Sequence, residues 1–452
     1  MNCELSSTIC APATASGGAL AIIRVSGPEA FSAVSSLCSV RCDSVAANTI
    51  HYTHITDGTD VVDEVMVSVF RAPHSYTGED SAEITCHGSR YILNKVLELL
   101  IQHGCRMANP GEFTQRAYLN GKMDLSQAEA VADLIASTNQ ATHRLAMSQL
   151  RGGISSELSR LRDHLLKLTS LLELELDFSD HEDLDFADRT ELMQLTQTIE
   201  AHISRLANSF ETGNALKSGI PVAIVGAPNV GKSTLLNTLL GEERAIVSDI
   251  QGTTRDAIED TINLGGVTFR FIDTAGIRHT EDRIEQMGIE RTYQAIGKAR
   301  IVLWLIDTTP TNEEQQEMAE LTSDKTLIIV CNKSDKGVAV ANSSFFILHS
   351  SLLEISAKYG VGIDELKQQL IAVIPTYSEN DVIVTNARHY DALQRAHNSI
   401  LRVIDGLNNG LSGDLLSEDL RQTLDILAEI TGGQITPQET LNNIFSHFCV
   451  GK

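Results

Sequence analysis

Basic charge is scarce in this chain. Thirty-five Lys and Arg face 59 Asp and Glu over 452 residues, a net charge of −24. A free-standing nucleic-acid binder presents a basic surface, so the deficit excludes that class in its simple form. Long apolar runs are missing as well: none approaches the ~20 residues of a membrane span, and no membrane association is expected. The opening residues, MNCELSSTICAPATASGG, lack a basic stretch followed by an apolar one, so no secretory signal is expected. Of eight cysteines, the closest pair, Cys38 and Cys42, does not have CxxC spacing, and no cysteine pair sits beside spaced histidines. Structural zinc is therefore not expected, and reduced thiols in a cytoplasmic protein are the simple reading. Internal repeats, low-complexity tracts and a dinucleotide-binding fingerprint are also absent.

What remains is globular: 42% of residues are hydrophobic and 21% charged. At ~150 residues per domain, about three domains are expected. The first ~120 residues read as α+β. Strands are expected at Leu20–Val25, Val61–Phe70 and Ser81–Cys86, and a helix at Tyr91–His103 stopped by Gly104. From Ser126 a helical pattern begins. Ser126 and Glu129 have capping-box spacing, and the pattern breaks at Gly152-Gly153 before resuming to about Phe178. Between Pro221 and about Pro375, apolar strands (PVAIV, VTFRFID, IVLWLID, TLIIVC) alternate with helices, as in a parallel sheet with crossover helices. Helices return afterwards, so the α/β unit reads as an insertion in an all-α domain.

Gly226-Ala227-Pro228-Asn229-Val230-Gly231-Lys232-Ser233 fits GxxxxGK[ST] after a strand and before a helix, the context of a P-loop. Its backbone N–H groups suit phosphate oxygens, Lys232 supplies charge, and the Ser233 hydroxyl suits Mg²⁺. Asp273-Thr274-Ala275-Gly276 ends a strand. There Asp273 suits the Mg²⁺ shell, and the Gly276 N–H suits the γ-phosphate. Asn332-Lys333-Ser334-Asp335 ends another strand, and a carboxylate at Asp335 accepts the two donors that guanine offers and adenine lacks. Ser356-Ala357-Lys358 would back the base. Thr253 and Thr254, in Gly252-Thr253-Thr254-Arg255-Asp256, are either switch ligands or turn hydroxyls. After DTAG, Ras-like enzymes carry a water-orienting Gln; here the residue is Ile277, which cannot orient water. Asn229 is either a loop-stabilising side chain or the ligand of a monovalent cation, shared with carbonyls of 248–253, that stands where an arginine finger would.

These loops, together with SYTGED (Ser75–Asp80), NPGEFTQRAYLNGKMDLSQAEAVADLI (Asn109–Ile135), DIQGTTRD and the terminal FCVGK (Phe448–Lys452), resemble the MnmE (TrmE) family of tRNA-modification GTPases along essentially the whole chain. The resemblance implies an α+β N-terminal domain at 1–120 that dimerises and binds a tetrahydrofolate. It implies a discontinuous helical domain at 121–216 and 379–452, and an inserted Ras-like G domain at 217–378. It implies a homodimer that joins an FAD-containing MnmG-like protein in a heterotetramer. That assembly adds an aminomethyl or carboxymethylaminomethyl group to carbon five of the wobble uridine of certain tRNAs. The one-carbon donor is of the formyl-tetrahydrofolate type.

Residue by residue, the resemblance implies formyl-tetrahydrofolate contacts at Arg24, Glu83, Lys122 and Lys452. GTP would be held by Asn229 to Thr234 (Asn229, Val230, Gly231, Lys232, Ser233, Thr234) and by Ser248, Asp249, Ile250, Gln251, Gly252, Thr253 and Thr254. Asp273, Thr274, Ala275, Gly276, Asn332, Lys333, Asp335, Ser356, Ala357 and Lys358 complete that set. Magnesium falls to Ser233 and Thr254, and potassium to Asn229, Ser248, Ile250 and Thr253. Catalysis falls to Lys232, Thr254 and the water-orienting Glu285. Two departures stand out: the family's PPGRGG loop is Ala13-Thr14-Ala15-Ser16-Gly17-Gly18 here, without the Arg, and a common Thr is Ser248. The rival readings are a ribosome-assembly or signalling GTPase switch and a folate-binding scaffold with a vestigial G domain.

Overall fold

The computed structural model describes residues 6–15, 17–177, 189–241, 260–272, 285–337, 352–374, 381–433, 438–446 and 448–451. The chain divides into two compact units. One is Met1–Ala136, Ala146–Ser204 and Asp391–Lys452; the other is Ser137–Leu145 and Arg205–Tyr390.

The first unit opens with β1 (Ile9–Pro12), β2 (Leu20–Ser26), β3 (Thr49–Asp57), β4 (Asp60–Phe70), β5 (Ser81–His87) and β6 (Arg106–Met107). They form one sheet in the order β3-β4-β5-β2-β1-β6. Alternation along the strands sends Ile23, Val25, Ile55, Val65, Val67, Val69 and Ile84 inward, against helices Ala30–Leu37 and Arg90–Gln102. The opposite face carries Arg24, Glu83, Ser68 and Ile50 in one row and Ile22, Thr85, Met66 and Tyr52 in the next, as the strand registers require.

Helix Glu112–Leu119 buries charge as well as apolar surface. Arg116 (2% exposed) bonds Glu79, Glu112 and the Ser7 carbonyl. Arg106 pairs with Glu112 from the other side. Glu79 in turn accepts from Ser26, so the network fixes the loop between β4 and β5.

The helical part of this unit follows from spacing. Leu158, Leu161, Leu165, Leu168 and Leu172 recur every three or four residues on helix Gly153–Asp177 and are buried. Helices Ala387–Asn408 and Gly413–Thr431 present matching buried stripes, including Ala396, Ile400, Val403, Leu416, Leu420 and Leu427. The expected cap lies two residues earlier than Ser126. Asp124 Oδ1 accepts the Gln127 N–H, and Gln127 Oε1 accepts the Asp124 N–H, which starts helix Leu125–Ala136 and leaves Ser126 inside it. The helical stretch also breaks once more than expected, where the chain passes into the second unit at Ser137: Asn139 Oδ1 accepts the Thr142 N–H as a new cap before Gln140–Leu150.

The second unit holds β7 (Ile220–Gly226), β8 (Asp260–Leu264), β9 (Val267–Phe271), β10 (Ile301–Ile306), β11 (Thr326–Cys331) and β12 (Leu352–Glu354). The sheet order is β12-β11-β10-β7-β9-β8. All pairings are parallel except the β8–β9 hairpin. Its central strands are apolar throughout because both faces are covered. Helices Lys232–Gly241, Glu285–Lys298, Asn312–Leu321 and Ile363–Ala372 belong to this unit. The doubly wound order places the ends of β7, β10 and β11 side by side at the carboxyl edge, where such sheets bind ligands.

Candidate functional site

The β7 end turns sharply into helix Lys232–Gly241. Asn229 adopts a left-handed backbone (φ 59°), a conformation Asn tolerates better than most residues. Gly231 has φ 108°, and a Cβ there would lie 2.2 Å from Asn332 Nδ2, so only glycine fits. The first-turn N–H groups of a helix that opens this way suit an anion. Lys232 Nζ reaches back to the carbonyls of Gly226 (2.6 Å) and Ala227 (3.0 Å). Burial pushes the Lys232 ammonium below its usual pKa, so a phosphate would relieve an existing penalty on its charge. Ser233 lies half-buried in the first turn, and Thr234 is exposed beside it.

The base loops are tied to this phosphate loop by one side chain. Asn332, buried, donates from Nδ2 to the Val230 carbonyl (2.8 Å), and its Oδ1 accepts the Ala357 N–H (3.0 Å). Ser356 Oγ donates to Asp335 Oδ1 (2.7 Å), which aims an exposed carboxylate without burying it. Lys358 Nζ sits 5.1 Å from the Tyr359 ring centroid. The structure thus joins Val230, Gly231, Lys232, Asn332, Asp335, Ser356 and Ala357 in one assembly. Two partners of that assembly escaped the sequence reading. Thr238 Oγ1 bonds the Ala357 carbonyl (2.8 Å), and Asp307 pairs with Lys333. The signal for Asp307 was its position directly after the apolar run IVLWLI; Thr238 gave none.

Ser248, Asp249, Ile250, Gln251, Gly252, Thr253, Thr254, Asp273, Thr274, Ala275, Gly276 and Ile277 lie outside the described residues, as does Lys452. Glu285 opens helix Glu285–Lys298, and its side chain lies outside them too.

A second constellation lies on the N-terminal sheet. Arg24 meets Glu83 Oε1 through Nε (2.9 Å) and Nη2 (2.8 Å), and its Nη1 donates to the Gly451 carbonyl (3.3 Å). The guanidinium carbon is 5.2 Å from the Tyr76 ring centroid and 5.6 Å from that of Phe113, within cation–π range. Arg24, Phe70, Tyr76, Thr77, Ser81 and Glu83 line a recess. Burial pushes the Tyr76 phenol up, against the opposing pull of its Thr114 bond and of Arg24. Lys122 stands apart from the Arg24–Glu83 pair. It is exposed, and its Nζ donates to the Pro73 carbonyl (2.8 Å) across the loop that carries Tyr76. The recess thus sets a carboxylate and a cation beside the Phe70 and Tyr76 rings, and the Gly451 carbonyl sits on the same guanidinium.

A P-loop on a mostly parallel sheet, tied by asparagine to a base-reading loop, defines a P-loop GTPase domain. The wider chain matches two family models, GTP-binding protein TrmE N-terminus over residues 8–122 and MnmE helical domain over residues 125–449. It is 55% identical to the tRNA modification GTPase MnmE of Bacteroides thetaiotaomicron, over 98% of this chain and 99% of that one. Identity to the protein of the same name from Bacteroides fragilis is 54% over the same shares. Among solved structures, the G domain of the T. maritima FeoB iron transporter covers 34% of this chain at 24% identity and a TM-score of 0.26, too distant to bear on function. The chain belongs to the MnmE (TrmE) family of tRNA-modification GTPases.

Proposed function

We propose that this chain hydrolyses GTP in a potassium-dependent cycle that serves modification of carbon five of the wobble uridine of certain tRNAs. One observation carries the reading: a single chain holds both an asparagine-tied base and phosphate loop and a separate aromatic-walled Arg–Glu recess reached by its own C-terminal end. A plain GTPase switch needs only the first.

In the G domain, Asp335 accepts the guanine donors while Ser356 and Ala357 back the base. The loop Asn229–Thr234 cradles the phosphates, with Lys232 on their charge. Ser233 and Thr254 are the magnesium ligands in this reading, and Asp273 holds the ion's outer shell. Magnesium, when bound, neutralises charge developing between the β- and γ-phosphates. Asn229, Ser248, Ile250 and Thr253 would hold potassium, and Glu285 orients the attacking water in place of the missing Gln.

In the N-terminal domain, Arg24, Glu83, Lys122 and Lys452 bind a formyl-tetrahydrofolate, which supplies a one-carbon unit when bound. Glu83 Oε1 already serves Arg24, so Oε2 is the acceptor for pterin N–H groups. Ile50, Tyr52, Met66 and Leu20 are 67%, 64%, 44% and 57% exposed. The strand registers place them on the same sheet face as Arg24 and Glu83. An apolar face of this kind supports homodimerisation through the N-terminal domain, which would also cover the folate site.

The uridine chemistry belongs to flavin and folate together, in an assembly with an FAD-containing MnmG-like partner. Among the described residues no helix is long and apolar enough to cross a membrane. The test is nucleoside analysis of wobble uridines in tRNA from cells lacking this chain. Loss of the carbon-five group is expected, and an unchanged nucleoside profile would overturn the reading.

A further inference from the structure

The lysine of the base loop is held from outside its motif. Lys333 adopts a left-handed backbone (φ 66°, ψ 35°), and its Nζ lies 2.6 Å from Asp307 Oδ2. Asp307 directly follows β10, and Lys333 lies two residues beyond β11. These strands are parallel neighbours with Ile306 opposite Cys331, and the Asn332 N–H donates to the Ile306 carbonyl (2.8 Å). On the other side of β10 lies β7, with Leu305 opposite Gly226 at the start of the phosphate loop. The Lys333 side chain therefore runs from the base loop toward the phosphate loop along the carboxyl edge of the sheet. A nucleotide that spans Asp335 and the phosphate loop must cross that same edge.

Each side chain of the pair is 28% exposed. Such a pair is shielded enough to hold one geometry, yet not so buried that desolvation cancels the attraction. An unheld lysine is among the most rotamer-rich side chains. Anchoring its ammonium removes that freedom before the base arrives, which is preorganisation.

We infer that Asp307 is a positioning residue for guanine-nucleotide binding: it acts through Lys333, fixing the lysine stem as one wall of the slot that receives the base. The inference rests on the GTPase reading above. Because Asp307 acts through the lysine, its effect falls on affinity and KM more than on kcat.

The test uses the full chain, equilibrium binding of a fluorescent GDP analogue, and steady-state GTP turnover. Asp307→Ala should weaken binding on the order of tenfold and raise KM in proportion. Asp307→Glu, which keeps the charge, should recover most of the loss. In a Lys333→Ala background, Asp307→Ala should cost nothing further. Equal losses in both backgrounds would overturn the inference, because Asp307 would then act by a route other than Lys333. Unchanged affinity in Asp307→Ala would also overturn it. If that variant does not fold, Asp307→Asn asks the same question of a side chain of equal size. A wild-type chain that fails to bind the GDP analogue would instead sink the GTPase reading.

Discussion

In the proposed GTPase cycle one carboxylate decides which base the site accepts. Asp335 is exposed and aimed by the Ser356 hydroxyl, so it is ready to receive two donors with little rearrangement. A site built to hydrogen-bond such donors rejects an analogue lacking them by ~10⁴-fold or more, because its own polar groups are left unpaired. GTP should therefore be hydrolysed far faster than ATP at equal concentration. Asp335→Asn should lose guanine and gain xanthine, which has a carbonyl where guanine has its amine. Comparable turnover of GTP and ATP by the wild type would refute the assignment. A second carboxylate, Glu112, acts on stability. Burial alone would raise its pKa, but Arg106, the Asn109 N–H and Arg116 together hold it below the usual glutamate value. The folded pKa is thus lower than the unfolded one. The group's contribution is present above the unfolded value and is lost as pH falls through the folded value. Glu112→Gln removes the carboxylate that Arg106 and Arg116 share, while Arg116 keeps Glu79 and Arg106 is a third exposed, so the cost near neutral pH is about 1–3 kcal/mol. Thermal melts of wild type and variant should differ widely at neutral pH and converge in acid; a gap that stays constant across that range would show that the network carries no net charge coupling.

At the scale of elements, periodic segments were legible and short or polar ones were not. Leu20–Ser26, Asp60–Phe70, Ser81–His87 and Arg90–Gln102 lie within a residue or two of expectation. So do the four apolar strands of the G domain. Thr49–Asp57 was missed because its outward positions carry Ile50 and Tyr52, which erase the contrast between faces. Helix Glu112–Leu119 was missed because it buries Glu112 and Arg116, so its inner face is charged. Ile9–Pro12 is only four residues long. The phosphate and base loops were readable because their chemistry depends on local order. Tyr76 and Phe113 beside Arg24 were not, since they meet it across 52 and 89 residues (76 − 24 and 113 − 24). Two consequences belong to the phosphate loop as a unit. Gly231→Ala drives a Cβ into Asn332 Nδ2 and strains a φ of 108°. It should abolish tight nucleotide binding in calorimetry, and retention of wild-type affinity would contradict the geometry. Asn229→Ala removes the side chain assigned to potassium. Turnover in the wild type should rise in potassium over sodium at matched ionic strength, and the variant should lose both that dependence and most of its rate. Equal wild-type rates in the two salts would rule out the cation's role.

Over the whole molecule, the −24 charge and the two separate sites point to a division of labour. A chain this acidic is poorly suited to neutralise tRNA phosphates by itself, so in the proposed assembly most such contacts would fall to the partner. In the proposed reading the chain contributes a folate recess in one compact unit and a GTP loop in the other. Arg24 and Glu83 belong to the first, while Gly226–Thr234, Asn332 and Asp335 belong to the second. The two activities should therefore separate by mutation. Arg24 is cationic and a folate tail carries carboxylates, so charge-assisted hydrogen bonds are their natural pairing. Removal of one such contact costs about 1.5–3 kcal/mol, or about ten- to a hundredfold in affinity. Arg24→Ala also strands the Glu83 carboxylate and frees the Gly451 carbonyl, so the C-terminal end loses its hold on the recess. Glu83→Ala removes the proposed acceptor for pterin donors and leaves Arg24 beside the Tyr76 and Phe113 rings. Both variants should bind formyl-tetrahydrofolate weakly and fail to support wobble-uridine modification, while GTP hydrolysis in potassium persists at the wild-type rate. Calorimetry with the folate, run beside a GTPase assay on the same preparations, reads both halves. Wild-type folate affinity in both variants would mean that the site lies elsewhere, and the loop at 13–18, which lacks the family's arginine, would be the next segment to mutate.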